Sequence, residues 1–185
     1  MPSGIIICGA NGSGKTTLGR ELARVLRYKC MDIEDYYFEK SDIPYSKMRP
    51  REECIKQLLS DIYKYNCFVL SAVDGDFGEE ITEMYKLAVF LSAPVEIRMT
   101  RIRQRAYEQY GERVMPGGDM YEQQQRFMDF ARERSLSHIN TWLETLKCPV
   151  IRIDGTKAIW ENVPIILEVI IKDAKGAIRK ANGSP

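Results

Sequence analysis

One segment, residues 9–16, constrains this chain more than any other. Its sequence, GANGSGKT, fits the pattern G-x-x-x-x-G-K-[ST], and it lies between an apolar run at residues 5–8 and a helical pattern that follows. Glycines in such a loop let consecutive backbone N–H groups turn inward around phosphate oxygens, and the helix dipole adds its positive end. The segment therefore requires a strand, a phosphate-binding loop and a helix in succession, and it predicts binding of a nucleoside triphosphate.

Each polar residue type of this loop has its own predicted role. Lys15 is expected to reach the β- and γ-phosphates, and the Thr16 hydroxyl suits Mg²⁺, which prefers oxygen ligands. The predicted nucleotide-binding residues of the loop are Gly9, Ala10, Asn11, Gly12, Ser13, Gly14, Lys15, Thr16 and Thr17.

The composition predicts one soluble domain without a general affinity for polyanions. A chain of 185 residues suffices for one well-cored domain, here residues 1–175, followed by a tail at 176–185. Lysine and arginine number 27 against 26 acidic residues, so no overall basic field favours nucleic acid or a membrane surface. The longest apolar runs fall well short of the ~20 residues that a transmembrane helix needs.

The five cysteines are widely spaced and form no C-x-x-C pair, and no signal peptide is recognised. They indicate reduced thiols of a cytoplasmic protein rather than a disulfide framework or a zinc site. We expect a monomer or a small homo-oligomer.

Short apolar runs alternate with longer amphipathic stretches along the whole chain. The predicted strands are residues 4–8, 29–33, 67–72, 87–91 and 150–153. Helices are predicted over residues 15–26, after Pro50, after Pro94, beyond residue 120 with an interruption near Ser135, and around Val163. This alternation is typical of an α/β protein with a parallel sheet and crossover helices.

Acidic residues follow two of these strands. Asp32, Glu34 and Asp35 come at the end of the second strand, and Asp74 follows the third. Ligands of open α/β sheets bind beyond the carboxyl ends of the strands. A carboxylate there can accept the proton of an attacking hydroxyl or hold the water shell of Mg²⁺.

Arginines and glycines mark the region after the fourth strand. Arg98, Arg101 and Arg105 recur on one helix face, of which we expect Arg98 to be solvated. Residues 110–120 contain three glycines and a proline, which predict a mobile lid. Planar guanidinium groups beside such a lid are suited to phosphate oxygens.

Together these features resemble the small P-loop kinases, the group of nucleoside monophosphate kinases, shikimate kinase and gluconate kinase. The resemblance covers roughly residues 4–170 and implies a three-layer P-loop NTPase fold, with a five-stranded parallel sheet in the order 2-3-1-4-5. It also implies a lid at about 110–120 and an acceptor-binding segment at about 36–66. The implied activity is ATP- and Mg²⁺-dependent phosphoryl transfer to a small-molecule acceptor such as a nucleotide, a hydroxy acid or a sugar-like compound.

Site residues follow from the resemblance position by position. Asp32 and Glu34 match the paired acids that orient an acceptor hydroxyl or a metal-bound water, with Asp35 and Asp74 as alternatives for the base. The implied metal site comprises Thr16, Asp32 and Asp74.

The lid arginines of the family are matched by Arg101, Arg105 and Arg113, with Arg132 and Arg134 as later candidates. The turn Asp154, Gly155 and Thr156 matches the adenine-flanking loop. Tyr45, Arg49 and Arg51 are candidates for holding an anionic or aromatic acceptor. His138, the only histidine, is expected to lie far from the site.

Other classes of P-loop protein fit less well. The chain has no N-K-x-D segment for reading guanine and no L-S-G-G-Q segment. An ATP-binding regulatory or toxin-like module without a small-molecule acceptor is the alternative, and the acidic strand ends and the arginine-rich lid argue against it.

Overall fold

Five parallel strands form the centre of the protein. A computed structural model describes residues 2–39, 41 and 47–182. The strands are β1 (Ser3–Cys8), β2 (Lys29–Asp32), β3 (Cys67–Ser71), β4 (Tyr85–Ser92) and β5 (Val150–Asp154). Their order in the sheet is β2-β3-β1-β4-β5. The predicted α/β P-loop NTPase fold and its strand order are confirmed.

Burial explains why β1 is the central strand. It pairs with β3 on one side and β4 on the other, and residues 5–8 are buried. A strand covered on both faces needs a continuous apolar run rather than alternation, as Ile5, Ile6, Ile7 and Cys8 provide. The phosphate loop therefore leaves the sheet from its central, buried strand.

Helices cover both faces of the sheet. They are α1 (Lys15–Leu26), α2 (Ile33–Tyr37), α3 (Arg51–Tyr65), α4 (Glu79–Thr82), α5 (Val95–Tyr110), α6 (Tyr121–Glu133), α7 (Ser137–Thr145) and α8 (Ile159–Asn182). On one face, α1 and α8 bury Leu22 and Ile166 against the sheet. On the other face, α3 and α7 bury Leu58 and Ile139. The break between α6 and α7 matches the predicted interruption near Ser135.

The strand boundaries differ by one or two residues from the sequence prediction, and the last helix differs by more. The second strand ends at Asp32 rather than residue 33, because the Asp32 side chain accepts a hydrogen bond from the Glu34 N–H and caps α2. The last helix continues to Asn182, past the expected start of the tail at residue 176.

The predicted lid has a short helix of its own. A 3₁₀ helix spans Gly111–Val114, and buried Val114 and Met120 pack with Ala106 of α5. Arg113 and Asp119 form an ion pair across the segment at 2.8 Å. This pair is exposed, so it contributes little to the stability of the closed segment. The opening and closing of the lid stays a prediction.

All five cysteines are free, and burial raises the pKa of the Cys8 thiol to about 12. None of the helices in the part of the chain that the structure describes is long and apolar enough to cross a bilayer.

Candidate active site

The phosphate loop connects β1 to α1 through three glycines with positive φ. These are Gly9 (φ +144), Gly12 (φ +79) and Gly14 (φ +103). A Cβ atom at Gly12 would lie 2.6 Å from the Arg98 carbonyl oxygen, so the loop approaches α5 too closely for any side chain there. Gly14 provides no side-chain cap for α1. The first N–H groups of that helix are therefore available to an anion, as the motif requires.

Lys15, the first residue of α1, lies at the centre of the site. Its Nζ donates to the Ala10 carbonyl at 2.9 Å, and the side chain lines a cavity of about 930 Å³. Burial lowers the pKa of Lys15 to about 8, against the opposing effect of Glu34 and Asp32. Desolvation therefore brings the pKa of the Lys15 ammonium to about 8, and the acidic neighbours keep it from falling further.

This pKa predicts how nucleotide affinity depends on pH. Phosphate binds the protonated ammonium, and with a pKa of about 8 the free protein carries this charge at lower pH and loses it at higher pH. Affinity should be constant below about pH 8 and fall by up to about tenfold per pH unit above it, because bound phosphate raises the pKa again. Calorimetric titration with Mg-ADP at several pH values checks this. A neutral Lys15→Met variant should lose the dependence, and a wild-type affinity unchanged from about pH 7 to about pH 9 would contradict it.

Thr16 and Asp32 are joined beside the loop. Thr16 Oγ1 donates to Asp32 Oδ2 at 2.7 Å, while Asp32 Oδ1 accepts the Glu34 N–H at 3.1 Å. Capping α2 therefore fixes the carboxylate next to the hydroxyl that the motif assigns to Mg²⁺. Among residues 2–39, 41 and 47–182, no group of three or more His, Cys, Asp or Glu side chains can hold a metal alone. A hydroxyl and a carboxylate fit Mg²⁺, which takes its remaining ligands from water and phosphate.

Asp74 lies on the same cavity, after β3. The preceding carbonyl, that of Val73, accepts the Gly9 N–H at 3.0 Å and so ties this segment to the phosphate loop. His138 Nε2 lies 3.5 Å from Asp74 Oδ2. The expectation that His138 lies far from the site was therefore wrong, because α7 packs over the end of β3.

The arginines of α5 and the lid separate into different environments. Arg101 donates to the carbonyls of Ser13 at 3.2 Å and Gly155 at 2.8 Å. Arg105 lines the cavity, and its charge acts on Lys15. Arg113 pairs with Asp119 instead of lining the cavity. Of the lid arginines that the resemblance implied, Arg101 and Arg105 line the cavity. Arg101 donates to the Ser13 and Gly155 carbonyls, so Arg105 is the stronger candidate for binding phosphate in this conformation.

Arg98 is buried, with only 8% of its surface exposed, so the expectation of a solvated side chain was wrong. The reason is a tertiary one. The guanidinium donates to backbone carbonyls of the phosphate loop and of α6, which a helical charge stripe does not reveal.

The turn after β5 lies against the phosphate loop. Asp154 Oδ1 accepts from the Thr156 N–H at 2.8 Å and from Thr156 Oγ1 at 2.7 Å, which fixes the turn. A Cβ atom at Gly155 would lie 2.7 Å from the Ser13 carbonyl oxygen, so this position requires glycine. The predicted adenine-flanking turn is thus adjacent to the loop, with its side-chain hydrogen bonds satisfied internally.

A cavity of about 930 Å³ opens beside the phosphate loop. Aromatic and apolar side chains of several segments line it, among them Tyr37, Phe38, Met48, Phe77, Ile102 and Phe127. Charged side chains share the same cavity, namely Lys15, Asp32, Glu34, Arg51, Asp74, Arg101, Arg105, Glu108 and Arg134. This volume is in the range of small-molecule sites.

Comparison with known proteins agrees with this geometry. The family model of an AAA domain matches residues 5–129. The chain belongs to the AAA domain family. The uncharacterized protein YqaC of Bacillus subtilis is 31% identical over 178 residues, which cover 92% of this chain and 98% of YqaC.

A shikimate kinase and a gluconokinase show a more distant likeness to this AAA domain protein. The shikimate kinase of Clostridium botulinum is 29% identical over 115 residues, covering 56% of this chain and 67% of that kinase. A gluconokinase structure from Sinorhizobium meliloti has a TM-score of 0.55 at 15% identity and covers 97% of each chain. The second likeness concerns the fold alone. The small P-loop kinase type recognised from the sequence is confirmed.

The acceptor segment of this AAA domain protein is only partly described. Arg51 lines the cavity and donates to the Asp76 carbonyl at 2.8 Å. Arg49 donates to the carbonyls of Asp35, Tyr36 and Phe38 and so supports the end of α2. Its expected role as an acceptor ligand stays a prediction. Tyr45 lies outside the described residues.

Proposed function

We propose that this AAA domain protein is a small-molecule kinase, which transfers the γ-phosphoryl group of ATP to an acceptor bound in the 930 Å³ cavity. One observation carries the proposal. Lys15 and the hydrogen-bonded pair of Thr16 and Asp32 border the same cavity as Glu34, Asp74 and four arginines. A module that only binds or hydrolyses ATP has no need of a second, mixed apolar and basic compartment. Distant likeness to shikimate kinase supports the same class of reaction.

The roles of the side chains follow from what phosphoryl transfer needs, which is positioning and charge stabilisation. The loop N–H groups bind the phosphates, and Lys15 neutralises charge that develops between the β- and γ-phosphates. Thr16 and Asp32 would hold Mg²⁺. Bound there, the ion would neutralise and orient the phosphate oxygens. Arg105 is suited to the transferred group because it lines the cavity and lies close enough to act on the Lys15 pKa.

The acceptor base is to be sought at Glu34 or Asp74. Both line the cavity, whereas Asp35 is exposed and does not. Asp32 already accepts hydrogen bonds from Thr16 and from the Glu34 N–H. We therefore assign it to binding Mg²⁺ together with Thr16, rather than to the acceptor hydroxyl. A carboxylate at either remaining position can accept the hydroxyl proton as the acceptor oxygen attacks.

The charges of the cavity indicate the chemistry of the acceptor. Arg134, at the C-terminal end of α6, stacks on Phe130 at 5.4 Å and has no carboxylate ion-pair partner among the described residues. Arg105 likewise has none there. With Tyr37, Phe38 and Phe77 on the apolar wall, the site suits a ring-bearing acceptor with a phosphate or carboxylate group better than a neutral sugar.

A screen of acceptors tests the proposed function. Mg-ATP turnover would be followed as ADP release in the presence of nucleoside monophosphates, hydroxy acids, neutral sugars and aminoglycosides. We expect an anionic, ring-bearing compound to stimulate release and neutral sugars to have no effect. ADP release that none of these compounds stimulates would favour the regulatory module.

Replacing Arg134 tests the acceptor side of the cavity. We expect Arg134→Met to lower kcat/KM for the stimulating acceptor by about 10- to 100-fold, because a charge-assisted hydrogen bond to its anionic group is lost. Affinity for Mg-ADP should not change. Arg132→Met is the matched control, since Arg132 is exposed on the same helix and does not line the cavity. Equal effects of the two substitutions would contradict the assignment.

A further inference from the structure

Two arginines of α5 bind the outer side of the phosphate loop. Arg98 Nη1 donates to the Asn11 carbonyl at 3.2 Å and to the Ala131 carbonyl of α6 at 3.1 Å. Arg101 Nη1 donates to the Ser13 carbonyl at 3.2 Å and to the Gly155 carbonyl at 2.8 Å. Each guanidinium therefore joins the loop to a second element.

The two loop carbonyls belong to alternate peptide units. The Asn11 oxygen shares its peptide with the Gly12 N–H, and the Ser13 oxygen shares its peptide with the Gly14 N–H. In a trans peptide the N–H points away from the carbonyl oxygen, and no cis peptide is present among the described residues. Holding both oxygens toward α5 therefore turns both glycine N–H groups away from it, as a phosphate cradle requires.

The charge of Arg98 is unusual in its surroundings. The side chain is 8% exposed, and it has no carboxylate hydrogen-bond or ion-pair partner in the part of the chain that is described. Burial lowers the Arg98 pKa. A buried cation is costly unless something compensates its charge. Carbonyl dipoles supply part of that compensation, and an anion bound on the opposite side of the loop would supply more.

We propose that Arg98 and Arg101 are positioning residues that preorganise the phosphate loop for the nucleotide. Their hydrogen bonds fix the alternation of loop carbonyls, and their charges polarise the Gly12 and Gly14 N–H groups toward phosphate. The inference rests on the proposed nucleotide binding at this loop and assigns neither arginine a contact with the transferred phosphoryl group. Arg101 thereby moves from the catalytic set to the support of the loop.

The same contacts link the nucleotide site to the rest of the cavity. Arg98 connects the loop to Ala131, three residues before Arg134 on the same chain segment, and Arg101 connects it to the turn at Gly155. The two guanidinium groups thus connect the phosphate loop to α6 and to the turn at Gly155.

Direct binding of Mg-ADP tests this inference without any acceptor. We expect Arg98→Met and Arg101→Met each to weaken the affinity by about 10- to 100-fold, the usual effect of losing charge-assisted hydrogen bonds. Arg103→Met is the matched control, because Arg103 is exposed on the same helix. Arg98→Lys keeps the charge and should retain more affinity than Arg98→Met, which a purely structural role would not predict.

Thermal unfolding of each variant separates affinity from stability. If Arg98→Met does not fold, the half-buried Arg101 gives the decisive variant. Wild-type affinity in folded Arg101→Met, or equal affinities of the Lys and Met variants at position 98, would overturn the inference while leaving the kinase proposal intact. Absence of Mg-ADP binding by the wild-type protein would overturn both.

Discussion

Lys15→Ala is expected to lower phosphoryl transfer by about 10³-fold or more while leaving the protein folded. Lys15 is the cation of the phosphate loop that faces the cavity, and its hydrogen bond with the protein is to the Ala10 carbonyl. Removing one preorganised charge donor from such a site costs about 10²- to 10³-fold, and a cation that meets the transferring phosphoryl group can contribute more. Acceptor-stimulated ADP release measures the effect.

Stability should respond in the opposite sense. Burial lowers the Lys15 pKa, which means that the folded protein holds this charge at a cost. The thermal midpoint of Lys15→Ala should therefore be unchanged or slightly raised. Lys56→Ala, on the exposed side of α3, is the control for a lysine lost elsewhere. Full activity in folded Lys15→Ala would refute the proposed active site.

Asp32→Asn should lower transfer by about 10²- to 10⁴-fold, within the range for a lost acid–base or metal-orienting carboxylate. The amide oxygen can still accept the Glu34 N–H and cap α2, so the charge is lost and the local fold is kept. Since Thr16 Oγ1 donates to Asp32 at 2.7 Å, we place Asp32 on the metal side. Half-saturation with Mg²⁺ should then shift to higher concentration, and excess Mg²⁺ should restore part of the activity.

The magnesium titration distinguishes the two roles of Asp32. If transfer falls and the Mg²⁺ requirement does not move, the carboxylate acts on the acceptor hydroxyl and the metal assignment fails. Asp173→Asn, at an exposed position of α8, controls for the loss of one negative charge. Glu34→Gln and Asp74→Asn, measured in the same way, would identify the base.

Local patterns in the sequence were enough to predict most of the fold. The motif at residues 9–16 fixed the order of strand, loop and helix, and α1 begins and ends at the predicted residues 15 and 26. Apolar runs identified the central strands β3, β1 and β4, because buried parallel strands are apolar on both faces. The strand order came from the resemblance to small P-loop kinases, since periodicity contains no information on which strands pair.

Contacts between distant segments could not be predicted in the same way. Arg98 repeats at helical spacing with Arg101 and Arg105, which is also the pattern of an exposed face, and its acceptors are backbone carbonyls that leave no mark in a sequence. His138 meets Asp74 only because α7 folds over the end of β3. The apolar part of the cavity likewise comes from segments far apart in the sequence, such as those that contain Phe38, Phe77 and Phe127. The sequence motifs thus identified residues of the site itself, but they did not identify residues such as Arg98 that contact the phosphate loop from another element.

The place of β1 in the sheet also sets an order of events during folding. Its partners lie far along the chain, with Ser3 opposite Cys67 and Cys8 opposite Phe90. Contacts across such long stretches close slowly, because the intervening chain must be ordered first. On the ribosome, the loop at residues 9–16 is synthesised before β3 and β4, and β1 has no strand partner until they have emerged. A nucleotide that binds only the finished loop therefore stabilises the completed sheet rather than guiding its assembly.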